Sequence, residues 1–554
     1  MLAPMRPCTS LLAASLAVLP LAAQTAATEP APHVVVETVG PDGWRMRFAP
    51  TNLGSLLESE QGRALWQPGT APVLGWLQQV FGGDVDFAPV QERLLGYAGR
   101  VRLGIWLQEG MLSRQGPFAM ALVLEGDGRT ALDALAADVR RLQEQVSGEW
   151  TELELAGTTH TVRQQGHDRM TAPIVGEHHL LCVAAAEDDL AEALVNARAW
   201  VGTCDGKPPR PNTPALRIDV HTPLLLELAR AEVAAGGDTE EWDTMQALGF
   251  ACLADSWLEL HTAGPHVQLE LSQRFADAPR GLFAALFPTT PGLPALQHLL
   301  PDTRGSWKVG RFDLLALYDA IAAAAAVNDV EPEEMRAEIR AEMGVDLRDD
   351  LLAHLTDAVV LHAESFADLD RLERTPWSLA FGLRDAKAFG ANLETALAKA
   401  KPMVTREATI EHGDAKLYRY GNLLGYDVWL AVGDRLFVLA GGADAEDRLT
   451  AMLDAARALP EGEEQGLPED LAPVQRHLPP GLYGAAHGDL DSVVALPPYL
   501  WFGLLRGIEP MGSGDGWNPE QQEAFRELLQ AHGLNRVRTA TGYAESIWRW
   551  RLFW

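Results

Sequence analysis

The chain has 554 residues, 47% hydrophobic and 22% charged, with 76 acidic against 45 basic side chains and a net charge of −31. That length exceeds what one core usually serves, so two or more domains are expected, and the composition excludes long disordered tracts. So negative a surface repels nucleic acid and anionic membrane, which excludes a nucleic-acid partner and favours solubility.

In chain order, residues 1–27 read as a secretory signal. Arg6 supplies the positive start, residues 11–19 the apolar stretch, and small residues permit cleavage after Ala23 or Ala27. The apolar stretch is shorter than the roughly 20 residues a bilayer span needs, and retention as an N-terminal anchor is the alternative. Cys8 precedes that stretch, so it is not placed as a lipoprotein cysteine. Cleavage removes Arg6 and no acid, leaving 44 basic against 76 acidic residues, a net charge of −32. No later segment reads as a span, since Asp319 interrupts the longest apolar run, Leu314–Val327. The expectation is an exported protein, periplasmic or extracellular, with no transmembrane span in the mature chain.

His33-Val-Val-Val-Glu-Thr-Val39 reads as a β-branched strand. From there to the C-terminus five landmarks recur in order, which predicts an internal duplication. The first is a strand entering a Leu-rich helix, Trp44 to Leu57 against Trp307 to Leu317. The second is a Val-Asp-apolar turn, a short helix and a strand, Val85-Asp86-Phe87 to Ile105 against Val345-Asp346-Leu347 to Leu361. Next is a strand and helix, residues 118–142 against 377–398. A hairpin and helix follow, residues 176–197 against 433–456. The last is a strand pair ending at Phe275 and at Trp554. Leu132, Leu135, Val139 and Leu142 make one apolar helix stripe, and Leu449, Met452, Leu453 and Ala456 another. Between the halves, residues 276–304 carry Pro279, Pro288, Pro291, Pro294 and Pro301 and read as a linker of extended backbone. The division is therefore a signal at 1–27, a first half at 28–275, a linker at 276–304 and a second half at 305–554. Each half reads as α+β, an antiparallel-rich or mixed sheet covered by helices on one face.

The mature chain keeps Cys182, Cys204 and Cys252, enough for one disulfide; the sequence does not choose the pair, and all three also read as small buried hydrophobes. Glu177-His178-His179, with His160 and His167 nearby, is the most metal-like group, but adjacent strand residues point to opposite faces and so cannot easily share one ion. Gly126-Asp-Gly-Arg-Thr130 stands where a phosphate loop would, without the glycine spacing or the Lys-Ser/Thr such a loop needs. Its counterpart, Gly382-Leu-Arg-Asp-Ala386, reads as a turn with Asp385 as helix cap. Gly512-Ser-Gly-Asp-Gly516 reads as a loop, and neither Gly-x-Ser-x-Gly nor His-Glu-x-x-His occurs. Trp44, Trp106, Trp257, Trp307, Trp377 and Trp429 read as core, while Trp501 and Trp517 are the candidates for an exposed aromatic patch. The terminal Ile547-Trp-Arg-Trp-Arg-Leu-Phe-Trp554 reads as the strand that completes the second sheet. The sequence assigns no catalytic residue, no cofactor and no metal ligand.

Asp313-Leu-Leu-Ala-Leu317 after a strand, Gly344-Val-Asp-Leu-Arg-Asp-Asp-Leu-Leu352 leading to Leu355-Thr-Asp-Ala-Val359, and the Gly433-Asp-Arg-Leu436 turn together resemble a loosely defined group of exported bacterial proteins known as a domain of unknown function. The first half departs from that pattern, with Asn52-Leu53 for Asp-Leu and Gly176-Glu-His-His for the Gly-Asp-Arg turn. The resemblance implies a fold and a location and carries over no site residues. The leading expectation is a non-enzymatic binding or structural protein of the envelope, with an unknown protein or small-molecule partner. The rival expectations are a secreted hydrolase whose site lacks a familiar motif, and a carrier of an apolar ligand.

Overall fold

In the computed structural model the described residues are 31–60, 97, 99–107, 118–126, 129–145, 149–165, 168–202, 213–236, 240–287, 292–294, 296, 299, 306–363, 376–399, 405–423, 426–458, 467–489, 527, 529–534 and 536–554. The signal at 1–27, the Val85-Asp86-Phe87 turn, His167, Cys204, the 512–516 loop, Trp501 and Trp517 lie outside them. The protein is mixed α+β, with 21 strands among the described residues, paired antiparallel. It divides into two compact units. The first comprises residues 1–237, 254–273 and 506–534, and the second residues 238–253, 274–505 and 535–554.

The first unit holds β1 (Val34–Val39), β2 (Arg100–Leu107), β3 (Phe118–Glu125), β4 (Glu149–Leu155), β5 (Thr158–Gln165), β6 (Asp168–Thr171), β7 (Ile174–Val175), β8 (His179–Ala186), β9 (Leu216–Val220) and most of β10 (Leu253–Ala263) and β11 (His266–Phe275). Their order across the sheet is β11-β10-β9-β1-β2-β3-β8-β6-β5-β4. Strand β7 continues the line of β6 along β8 after a break at Pro173. Proline cannot donate to a ladder, and at this break the Val183 N–H is taken by the Thr171 hydroxyl at 3.0 Å.

Helices cover both faces of this sheet, which corrects the expectation of one. Helix Leu190–Gly202 buries Leu190, Ala193, Leu194 and Ala197 against Ala121, Val123, Leu181 and Val183. Helix Arg129–Gln145 buries Leu132, Leu135 and Val139 against Leu124, Leu180 and Cys182 on the opposite face. The reason lies in Phe118-Ala-Met-Ala-Leu-Val-Leu124, which is apolar at both alternate sets of positions and so needs cover on both sides.

A second correction concerns Trp44–Phe48, read above as a strand and found in helix Pro41–Phe48. Pro41 enters the helix at its first turn, where its missing N–H costs nothing, and Asp42 sits at the positive end of the helix dipole. The strand at this place in the chain is the β-branched β1. Trp44 instead donates its Nε1–H to the Thr38 hydroxyl at 2.8 Å. Thr51 then caps helix Asn52–Glu58: its hydroxyl accepts from Gly54 N at 3.0 Å and donates to Phe48 O at 2.6 Å. Gly54 has no substitute there, since a Cβ would lie 1.9 Å from Phe48 O. The same helix meets the chain near residue 532, where Ser55 Oγ and His532 Nδ1 are 3.3 Å apart.

The second unit holds β12 (Ser306–Arg311), β13 (Leu355–Ala363), β14 (Trp377–Leu383), β15 (Thr405–His412), β16 (Ala415–Leu423), β17 (Tyr426–Val432), β18 (Leu436–Gly441), β19 (Leu482–Asp489), β20 (Arg536–Ala544) and β21 (Ile547–Phe553). Their order is β21-β20-β19-β12-β13-β14-β18-β17-β16-β15. Helix Ala386–Lys399 is capped by Asp385, whose carboxylate accepts from Ala388 N at 2.9 Å. It packs Phe389 and Leu393 on the face of Phe381, Phe437 and Tyr418. The alternate residues Ala380, Val438 and Ala440 are fully buried as well, and helix Ala445–Ala458 turns Leu449, Met452 and Leu453 inward against β14, β17 and β18.

Helix Leu314–Val327, capped by Asp313, packs on helix Glu240–Ala247, and Asn328 Nδ2 donates to Thr244 Oγ1 at 3.3 Å. The proline-rich stretch is not all extended, because Leu282–Leu286 is helical between Pro279 and Pro288. Phe283 and Phe287 there join an aromatic cluster with Phe275, Tyr543 and Trp548.

Candidate functional site

Cross-strand neighbours in an antiparallel sheet share a face. Register therefore aligns Ser378 of β14, His362 of β13, Trp307 of β12, His487 of β19 and Arg538 of β20 in one row across the second unit. The next row on that face is Val438, Ala380, Val360, Val309, Ala485 and Ala540, all buried. Ser378 is 2% exposed, and His362, Trp307 and His487 are 5% exposed each.

Two segments bring charge to the polar row. The 3-10 segment Glu469–His477 carries Asp470, whose Oδ2 accepts from Trp307 Nε1 at 3.1 Å and lies 3.0 Å from His487 Nδ1. Arg538 Nε donates to the Asp470 backbone oxygen at 2.6 Å. Helix Ala445–Ala458 carries Arg448, which donates to the carbonyl oxygens of Gly441 and Trp377 at the strand ends beside His362. Among the described residues, His487 Nε2 and both ring nitrogens of His362 have no hydrogen-bond partner. Burial lowers the His362 pKa from 6.5 to about 4, with the Arg448 charge acting the same way. Burial also lowers the His487 pKa, Asp470 opposing and Arg538 and Arg536 assisting.

The polar residues of the first unit are of another kind. Glu37, Arg102, Arg217 and Glu259 align in register across β1, β2, β9 and β10. Arg102 Nε lies 3.0 Å from both Glu37 Oε1 and the buried Glu125 Oε1, and Arg217 Nη1 lies 2.7 Å from Glu259 Oε1. His261 Nε2 continues the line 3.1 Å from Glu259 Oε2. This is a ladder of alternating charge on the face of one sheet, and each anion has its cation.

The residues singled out by sequence are placed apart. His178 is exposed with Glu177 3.7 Å away, His179 is half-buried opposite Glu125, and His160 hydrogen-bonds Thr158 on a surface hairpin. Among the described residues no group of three or more His, Cys, Asp or Glu is placed to hold a metal ion. Gly126 donates its N–H to His178 O at 3.2 Å. The Gly433-Asp434-Arg435-Leu436 turn lines a small surface pocket with Leu453, Ala456 and Arg457. Cys182 and Cys252 are buried free thiols. Burial pushes the Cys182 thiol up to about 12, and only a thiolate attacks a disulfide reagent. Cys182 is therefore expected to stay unlabelled by a thiol-reactive chromophore at pH 8 and to react on denaturation, as counted by mass spectrometry; labelling in the native state would contradict its burial.

No protein-family model and no curated protein matches the chain. Solved structures of TP0453 show a partial likeness. Crystal form IV gives a TM-score of 0.22 at 10% identity, covering 44% of this chain and 76% of that one. Form III gives 0.22 at 10% identity over 49% and 90%, and form I gives 0.21 at 10% identity over 49% and 89%. Likeness at that level leaves the fold and the site to be argued from the residues above.

Proposed function

We propose that the chain is an exported protein built of two copies of one α+β unit, acting as a non-enzymatic binding or structural protein of the cell envelope. The observation that carries the duplication is the strand order. Reading β1 as β12, β2 as β13, β3 as β14, β8 as β18, β9 as β19, β10 as β20 and β11 as β21 turns one order into the other, and the hairpin extension β4-β5-β6 becomes β15-β16-β17. A parallel detail supports it: helix Glu240–Ala247, from the connection between β9 and β10, belongs to the second unit, and residues 527 and 529–534, from the connection between β19 and β20, belong to the first. The copies run from 28 to 275 and from 305 to 554, after the signal at 1–27 and around the stretch 276–304.

The repeat keeps the strand order and not the polar residues. A charge ladder in one unit and a His-Trp row in the other share no side-chain set, which fits a duplicated scaffold better than a duplicated active site. Native mass spectrometry with metal analysis, on protein from its own envelope fraction, is expected to give the mass of the chain without residues 1–27, alone or with a protein partner. A stoichiometric small molecule would replace this reading with that of a ligand carrier.

The Asp470–His487 pair, with Nε2 free, favours the hydrolase as second reading, because a carboxylate on Nδ1 is what orients a general base. Labelling by a fluorophosphonate that disappears in His487→Ala would establish it. Absence of labelling in the folded protein would leave the binding reading.

A further inference from the structure

The two faces of the central strands in the second unit are covered unequally. On one, Val309, Val360, Ala380 and Val438 are 0% exposed. On the other, which carries helix Ala386–Lys399, register aligns Leu439, Leu379, Leu361, Lys308 and Ala486 across β18, β14, β13, β12 and β19. The three leucines are partly exposed, and Lys308 is exposed. Cover on this side therefore leaves room along an apolar row that ends at an ammonium.

Lys308 is open to solvent, yet the protein around it lowers its pKa by burial. A group that is both wet and crowded stands in a recess. Among the described residues no carboxylate pairs with it and no oxygen accepts its hydrogen bonds, in a chain of 76 acidic side chains. A charge so placed, without a counter-ion, is costly to keep.

We propose that this row binds a single-chain fatty acid, its carboxylate on Lys308 and its tail along Leu361, Leu379 and Leu439. The carboxylate supplies the counter-charge that the protein does not, in a charge-assisted hydrogen bond strengthened by dry surroundings. The tail crosses the strands, and three strand spacings from Lys308 to Leu439 make about 14 Å, room for one extended acyl chain. Each methylene removed from water is expected to tighten binding about fourfold. A short carboxylate would meet the ammonium and leave the leucines wet, and a fatty alcohol would do the converse. In the first unit, Leu122, Leu103, Val36 and Ile218 form a partly exposed row in register. On the strand correspondence proposed above, Val36 there takes the place of Lys308, so one such acid per chain is expected. The inference rests on the binding reading and gives it a ligand that exchanges in solution.

Isothermal titration calorimetry of the full chain with decanoate, below its micelle-forming concentration at pH 7.5, tests the proposal. One saturable site is expected, with acetate and decanol weaker by about tenfold or more. Lys308→Met keeps an unbranched side chain and removes a desolvated charge, so it is expected to fold as wild type. It is expected to bind decanoate about tenfold or more weakly while keeping its affinity for decanol, and Lys308→Arg to restore decanoate binding. No saturable site, or equal decanoate affinity in Lys308→Met, overturns the proposal and leaves the binding reading to a protein partner. Fluorophosphonate labelling at His487 would instead overturn the binding reading without involving Lys308. Should the methionine variant misfold, acetylation of wild-type Lys308 by acetic anhydride at pH 8, followed by peptide mass spectrometry, decides. Saturating decanoate is expected to protect Lys308 and acetate is not, and equal acetylation with and without decanoate overturns the proposal.

Discussion

Replacing Asp346 by alanine is expected to cost about 2–4 kcal/mol, the sum of a lost helix cap and of lost charge-assisted hydrogen bonds to partly exposed arginines. The Asp346 side chain is 3% exposed and does two jobs. One oxygen accepts from Arg348 N and Asp349 N, both at 3.0 Å, and so caps the turn Leu347–Leu351. The other accepts from Arg336 at 2.8 and 3.2 Å and from Arg340. Helix Pro332–Met343 is thereby tied to that turn, and Arg348 ties the turn to Asp319 of helix Leu314–Val327 at 2.6 and 2.8 Å. Burial works to raise the Asp346 pKa, yet the Asp349 N–H and the Arg336 bonds outweigh it and hold the carboxyl below its ordinary value. A depressed carboxylate contributes stability above its unfolded pKa and loses it as pH falls through the folded one, so the variant's deficit shrinks in strong acid.

Two companion variants separate the two roles. Asp346→Asn keeps a cap acceptor and loses the charge, and is expected to fall between wild type and alanine. Arg340→Ala removes a partner that is 58% exposed, and is expected to cost under about 1 kcal/mol. Urea unfolding followed by circular dichroism measures all three. An Asp346→Ala protein within about 1 kcal/mol of wild type would mean that the cluster is ornamental.

Much of the architecture was legible because it depends on local patterns. The apolar stripes through Leu132 and Leu449, the strands around Arg217 and Val428 and the cap at Asp385 are set by residues a few positions apart. Trp44 was misread because it stands, like Trp307, before a basic and apolar sequence, and the Gly40-Pro41-Asp42 helix start outweighs that likeness. Cover on both faces was written in the two-sided apolar run of β3, which alternation counts alone do not weigh. The helix at 282–286 was hidden by its flanking prolines. Those bound it without entering it, and Phe283 and Phe287 give it a reason to dock.

The site was not legible, and the cause is register. His362 and His487 become neighbours of Trp307 only when β13 and β19 pair on either side of β12, and a slip of one residue would turn either ring to the other face. Nothing near either histidine in sequence marks that event.

Deleting residues 547–554 is expected to abolish folding of the second unit. Strand β21 carries Trp548, Trp550 and Phe553, which are 4%, 3% and 0% exposed. Truncating one buried aromatic to alanine costs about 3–5 kcal/mol, against a total stability of about 5–15 kcal/mol for an ordinary domain. Three at once exceed what such a unit can lose. The deletion also strips β20 of one of its two partners and leaves an unpaired edge beside exposed apolar surface, a template for aggregation. Trp548 matters beyond its area: its Nε1–H donates to the Tyr483 hydroxyl at 2.9 Å, and that hydroxyl donates to Leu286 O at 3.1 Å. Its ring packs on Phe287 with centroids 4.7 Å apart, so the strand also anchors helix Leu282–Leu286. Trp548→Phe, which keeps a ring and removes the donor, is expected to cost about 1–3 kcal/mol and to leave a folded protein. Limited proteolysis and near-ultraviolet circular dichroism distinguish the outcomes. A truncated chain that stays monomeric and resists protease like the full one would place the terminal strand outside the core of its sheet.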